Sequence, residues 1–161
     1  MTNTLEQLAI EVGAELKNRQ WKLVTAESCT GGGLAYWLTS VPGSSEWYER
    51  GFVTYSNLAK KQCLGVKAET LDQFGAVSEH TAREMAEGAL QSSNANISIA
   101  ITGIAGPDGG TAEKPVGTVW IAYSGIHTNT QAIQYFFSGN RQAIREKSIQ
   151  TVLEYLKKGL K

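Results

Sequence analysis

Three residues with reactive or hydrogen-bonding side chains stand together at Ser28-Cys29-Thr30, between the apolar pair Leu23-Val24 and the glycines Gly31-Gly32. This order predicts a short buried strand over residues 22–26 that runs out through small polar residues into a helix over 31–40. Such a junction displays side chains at the carboxyl edge of a sheet, beside the unpaired N–H groups of a helix start. A serine there attacks a carbonyl carbon when a base takes its proton and N–H donors hold the oxyanion. Lys60, in Tyr55-Ser56-Asn57-Leu58-Ala59-Lys60, is the candidate base. The N–H groups of Cys29, Thr30 and Gly31 are the candidate oxyanion donors, since glycine admits close approach and a helix start favours negative charge.

Each of these residues also has a plainer reading. Ser28 equally suits a helix-capping serine. Cys29 competes with it as nucleophile, because a thiol at a helix start can have a depressed pKa. No His/Asn pattern accompanies that cysteine, however, and inert buried cysteines are common. Lys60-Lys61 also reads as a solvated pair on a helix. An exposed lysine, with a pKa of about 10.4, is protonated at neutral pH, so a base at Lys60 needs that value lowered by roughly 2–3 units. Successive helical residues diverge by about 100°, so only one of the two lysines can face the serine.

The elements that must position these groups follow from periodicity. Thr4 and Gln7 form a capping-box pattern ahead of a helical stripe of Leu5, Leu8, Val12 and Leu16. Residues 47–55 are rich in aromatic and β-branched side chains and read as a strand, followed by short helices over 57–64 and 68–74 broken at Gly65. Ser78 caps a helix through about Gln91, with Ala82, Met85, Ala86 and Ala89 inward. Residues 97–102 form a strongly apolar central strand that empties into the glycine-rich loop starting at Gly103. A connection this long inside a compact domain is more often functional than idle. Strands over 118–124 and 130–137 pair as a hairpin, and a last helix begins after Gly139-Asn140. The expected fold is α/β: a three-layer α/β/α sandwich with a mixed, mainly parallel sheet and a C-terminal antiparallel hairpin, one domain over 1–161.

Composition removes several classes of function. The 161 residues are 42% hydrophobic and 19% charged, with 15 basic and 15 acidic residues. Net charge therefore gives no argument for nucleic acid or anionic membrane as partner and leaves only local basic patches. No apolar run approaches the roughly 20 residues that span a bilayer, and no secretory signal opens the chain. Two cysteines without scaffold spacing suit a reducing cytoplasm, and two histidines apart from them suggest no metal site. The loop from Gly103 lacks the Gly-Lys-Ser/Thr ending of a P-loop, which excludes that mode of nucleotide binding.

Four blocks taken in order resemble the CinA C-terminal domain family: Thr25-Ala26-Glu27-Ser28-Cys29-Thr30-Gly31-Gly32, Gly51-Phe52-Val53-Thr54-Tyr55-Ser56-Asn57 with Lys60, Thr102-Gly103-Ile104-Ala105-Gly106-Pro107, and Lys114-Pro115-Val116-Gly117-Thr118-Val119. The resemblance covers nearly the whole chain, without the N-terminal molybdopterin-binding-like domain of longer members. It implies a cofactor-free, metal-free nicotinamide-nucleotide amidohydrolase that converts nicotinamide mononucleotide to nicotinate mononucleotide and ammonia, and a homodimer. On that pattern Ser28 is the nucleophile, Lys60 the base and Tyr55 a proton relay or the group that orients Lys60. From their positions alone, Thr102 is a candidate to hydrogen-bond the substrate or the Ser28–Lys60 pair, and Gly103 a candidate pocket wall. Arg141, at the start of the last helix, is the candidate side-chain anchor for the phosphate, with a plain surface arginine as the alternative. The competing expectation is a non-catalytic nucleotide-binding or adaptor domain linked to competence or DNA repair, in which Lys60 is charged and exposed.

Overall fold

A computed structural model describes residues 4–160 of the chain. Helix α1 (Thr4–Arg19) buries Leu5, Leu8, Val12 and Leu16, the stripe that its periodicity predicts. Its capping box is not formed as expected: Thr4 already lies inside the helix, and the Gln7 amide donates forward to Glu11 at 3.3 Å. Strand β1 (Leu23–Glu27) follows, wholly buried. The next helix, α2 (Gly33–Thr39), starts two residues later than predicted, because Gly31 and Gly32 take positive φ values of 60° and 98° that no helix contains.

A 3₁₀ turn at Ser44–Glu46 leads to strand β2 (Tyr48–Val53). Helix α3 (Asn57–Leu64) begins where the Ser56 hydroxyl accepts the Ala59 N–H and ends at Gly65, in the left-handed region at φ 70°. Helices α4 (Ala68–Phe74) and α5 (Glu79–Gln91) follow, then strands β3 (Ile97–Gly103), β4 (Thr118–Gly125) and β5 (Thr128–Phe136), and helix α6 (Arg141–Gly159). The sheet order is β2-β1-β3-β4-β5. Strands β2, β1 and β3 run parallel, and β4 and β5 add the antiparallel hairpin. This is the expected mixed three-layer sandwich.

The two faces of the sheet are built from different side chains. Under α1, α2 and α6 it carries Leu23, Ile99, Ile101, Val119 and Ile121. Under α5 it carries Val24, Ala26, Ala100 and Ala122, packed against Ala82, Ala86 and Ala89. Small residues on both sides let α5 lie close, and Gly88 of α5 touches the backbone of Leu64 so tightly that a Cβ would overlap its carbonyl oxygen. Among the described residues no helix is long and apolar enough to cross a membrane.

Candidate active site

Ser28 is the first residue past β1. Its N–H donates to the Ile101 carbonyl at 3.0 Å, extending the parallel ladder by one bond, and its own carbonyl accepts the Gly31 N–H at 3.0 Å. The chain therefore turns sharply just after the serine, whose side chain stays at the carboxyl edge of β1 and is 8% exposed.

Lys60 meets it from α3. That helix packs its inner face on the layer with α5 and buries only Lys60 and Leu64, leaving Lys61 exposed. Lys60 is 1% exposed, and its Nζ lies 3.2 Å from Ser28 Oγ, 2.9 Å from the Thr54 carbonyl and 3.1 Å from the Tyr55 carbonyl. Among the described residues no carboxylate forms an ion pair with it. Burial lowers its pKa from the ordinary 10.5, and the nearby Cys29 acts weakly the other way. The geometry suits the neutral form. A neutral amine has two N–H groups, which the two carbonyls accept, and one lone pair, which then faces the Ser28 hydroxyl.

The residue before the serine carries an unexpected charge. Glu27 is 1% exposed, and its carboxylate accepts from the Thr30 hydroxyl at 2.6 Å, the Leu34 N–H at 2.9 Å and the Ala35 N–H at 3.0 Å. The start of α2 is thus filled by the protein itself. The backbone donors that the carboxylate fills are those of Leu34 and Ala35, not the Cys29, Thr30 and Gly31 N–H groups expected to face the oxyanion.

The turn also shares its donors unequally. The Gly31 N–H is held by Ser28, the Thr30 hydroxyl by Glu27, and the Thr30 carbonyl accepts from Arg145 Nη2 at 3.3 Å. Neither Thr30 nor Gly31 lines the cavity beside Ser28, whereas Cys29 does. Cys29 is buried, and desolvation with the adjacent Glu27 charge pushes its thiol up to about 12, against the smaller opposing pulls of its own backbone, Arg145 and Lys60. A thiol at neutral pH leaves the Ser28 hydroxyl as the nucleophile candidate with a base beside it.

The cavity has a volume of about 260 Å³, and Ser28, Cys29, Tyr55, Lys60, Thr102, Gly103 and Arg141 all border it. Thr102, 1% exposed, donates its hydroxyl hydrogen to the Ala76 carbonyl at 2.9 Å, which leaves its lone pairs as acceptors. Gly103 ends β3 against β4, where a Cβ would strike the Val119 side chain. The Ile104 N–H points at Thr118 of β4, so by strand alternation the Gly103 N–H points the other way, toward the end of β1. Tyr55 departs from expectation. Its carbonyl, not its hydroxyl, meets Lys60, and the hydroxyl accepts from Arg141 Nη2 at 2.9 Å. Arg141 also donates to the Gly106 carbonyl at 2.9 Å, tying the glycine-rich loop to the cavity mouth.

Sequence reasoning missed Glu27 and Arg145. One signal was available for the arginine. Arg141 and Arg145 occupy the first two turns of α6, whose first turn contains no acidic residue. Cations at a helix start work against the macrodipole, which suggests a reason other than helix stability for keeping them.

The same fold recurs in solved structures. The CinA C-terminal domain model matches residues 5–160. A protein of Escherichia coli (strain K12) called nicotinamide-nucleotide amidohydrolase PncC is 51% identical over 152 residues, covering 94% of this chain and 92% of that protein. The relative of the same name from Enterobacter agglomerans is 49% identical over 158 residues, covering 95% and 96%. A longer relative from Symbiobacterium thermophilum, a putative competence-damage inducible protein, is 48% identical over 96% of this chain, which spans 38% of it. The crystal structure of a competence/damage inducible protein from Agrobacterium tumefaciens superposes with a TM-score of 0.94 at 45% identity, covering 99% of this chain and 97% of that one. The chain belongs to the CinA C-terminal domain family.

Proposed function

We propose that this protein hydrolyses the carboxamide of nicotinamide mononucleotide, giving nicotinate mononucleotide and ammonia, by a serine–lysine mechanism. One observation carries the chemistry: a fully buried amine with a lowered pKa stands 3.2 Å from a hydroxyl at the carboxyl edge of the sheet. The substrate assignment comes from the relatives called nicotinamide-nucleotide amidohydrolases, at about half identity along nearly their whole length.

In this reading Lys60 takes the Ser28 proton as Oγ attacks the carboxamide carbon. The oxyanion is held by N–H groups at the two strand ends, that of Cys29 after β1 and that of Gly103 after β3. Lys60 then gives its proton to the departing nitrogen, the C–N bond breaks, and ammonia leaves. Water then attacks the acyl carbon with Lys60 again as base, the C–Oγ bond breaks as Lys60 returns that proton to Ser28 Oγ, and the released acid ionises to the product carboxylate. Thr102 accepts a hydrogen bond from the carboxamide N–H. Arg141 pairs with the phosphate at the cavity mouth, with Tyr55 and Gly106 fixing its guanidinium. No step calls for a metal or organic cofactor. A homodimer and a cytoplasmic location complete the proposal, and both rest on the family resemblance and the cysteine usage.

Ammonia release from nicotinamide, its riboside and its mononucleotide, measured side by side with and without chelator, tests this function. Turnover of the mononucleotide that is strongest of the three and insensitive to chelator is expected. Turnover of the free base with none of the nucleotide would remove the assignment.

A further inference from the structure

We propose that Glu27 is a positioning residue for Ser28: its carboxylate ties the Ser28–Gly32 turn to the start of α2 and so holds the hydroxyl at Lys60. This inference rests on the reading of Ser28 as nucleophile. Three donors converge on one buried carboxylate, two from the backbone of α2 and one from Thr30, two residues beyond Ser28. On the other side Ser28 is tied to β3 through its N–H and to Gly31 through its carbonyl. The serine therefore sits between two fixed points, the sheet and a carboxylate-bound turn, with two positive-φ glycines between them.

Neither glycine resists rotation by itself. Without Glu27 the helix side of the turn keeps only its carbonyl bonds, Thr30 with the Gly33 N–H at 2.9 Å and Arg145 Nη2 at 3.3 Å and Gly32 with the Tyr36 N–H at 2.9 Å. It loses the three that the carboxylate makes. A displacement of Ser28 Oγ on the order of 1 Å takes it out of reach of the Lys60 lone pair, and a loss of this kind costs about 10²-fold in rate. Glu27 has a second effect on substrate orientation. A carboxylate bonded to Leu34 and Ala35 occupies the donors at the start of α2, which leaves the substrate phosphate the Arg141 end of the cavity.

Glu27→Gln tests this with little change of volume. One amide oxygen replaces a carboxylate oxygen, but the new NH₂ group opposes a backbone N–H, so the turn loses a bond and gains a repulsion. On the full chain, kcat for the mononucleotide is expected to fall by about 10²-fold with KM within about two-fold. The rate of Ser28 phosphorylation by diisopropyl fluorophosphate should fall in parallel in samples matched for folded fraction. In that reaction the Oγ–P bond forms, fluoride leaves with the P–F bond, and Lys60 takes the proton. A folded Glu27→Gln protein with unchanged kcat and labelling rate would overturn the inference. So would a rise in KM with kcat unchanged. Thr30→Val, which deletes one of the three bonds, should reduce both rates by a smaller factor and covers the case in which Glu27→Gln does not fold. Ser28→Ala separates the two claims: normal turnover there would remove the nucleophile itself. An inactive Ser28→Ala beside a fully active Glu27→Gln would remove only the role given to Glu27.

Discussion

The two ends of the sheet each hold a cavity, and they differ in what lines them. At the carboxyl ends of β1 and β3 the cavity meets a buried amine, three hydroxyls and a guanidinium. At the opposite end, about 200 Å³ lie between the β4–β5 hairpin and the end of α6, walled by Trp21, Ile97, Tyr123, Ile126, Tyr155 and Leu160. There Tyr123 and Tyr155 stack at 3.7 Å, and burial raises the Tyr123 phenol far from ionisation. A search for apolar concavity favours this second cavity, while a search for a perturbed titratable group beside a nucleophile favours the first. In an α/β sheet the chemistry belongs to the carboxyl ends, where parallel strands release their side chains and N–H groups together.

Substitutions can break that contrast, the most severe at Ser28. Ser28→Ala should reduce kcat on the mononucleotide by about 10⁴-fold or more, read as ammonia release. Lys60→Ala should follow at roughly 10²–10⁴-fold, the range for a lost general base. In the wild type the acid limb of the kcat profile should inflect below the ordinary lysine value, since burial lowers the pKa of Lys60. Arg141→Ala should leave kcat nearly unchanged for the riboside and raise KM for the mononucleotide by about 10- to 10²-fold, as expected for a lost charge-assisted contact. At the other end of the sheet, Ile126→Ala should leave kcat and KM within about two-fold. A large effect there would mean that the aromatic cavity takes part in turnover.

The same lysine predicts a smaller effect on stability. Because its pKa is lower in the folded state, the unfolded chain binds more protons between the folded value and 10.5. Stability contributed at this site therefore rises with pH through that window. Lys60→Met lacks the term. The urea midpoint of wild type minus that of Lys60→Met should move in favour of wild type as pH rises toward 10.5. A difference that stays constant would mean an amine with an unshifted pKa.

Much of this was legible in the chain, and the exceptions have physical causes. The apolar run over 97–102 marked a central strand, and Gly65 marked the break after α3. The 100° step between Lys60 and Lys61 foretold that only one would face inward, and the structure buries Lys60 alone. The start of α2 was misjudged because two glycines permit a helix by composition while their positive φ values forbid it. The tyrosine hydroxyl was given to Lys60, but Arg141, 86 positions away, holds it. Glu27 drew no reading of its own, since its donors at 34 and 35 belong to a helix whose beginning only the folded backbone reveals. Arg145 lies 115 positions from the carbonyl that it grips, a separation at which no local pattern carries a signal.

Gly88 sits on the opposite layer from Ser28, yet its contact with Leu64 reaches the far end of the helix that bears Lys60. An added methyl group there would have to shove α3 outward, because the obstacle is main chain and no rotamer change can relieve it. Under the proposed mechanism, tuning of Lys60 is thus exposed to mutation from a helix that does not border the cavity beside Ser28. Variants with altered turnover should accordingly be sought along the contact line of α5 with α3 as well as around the serine.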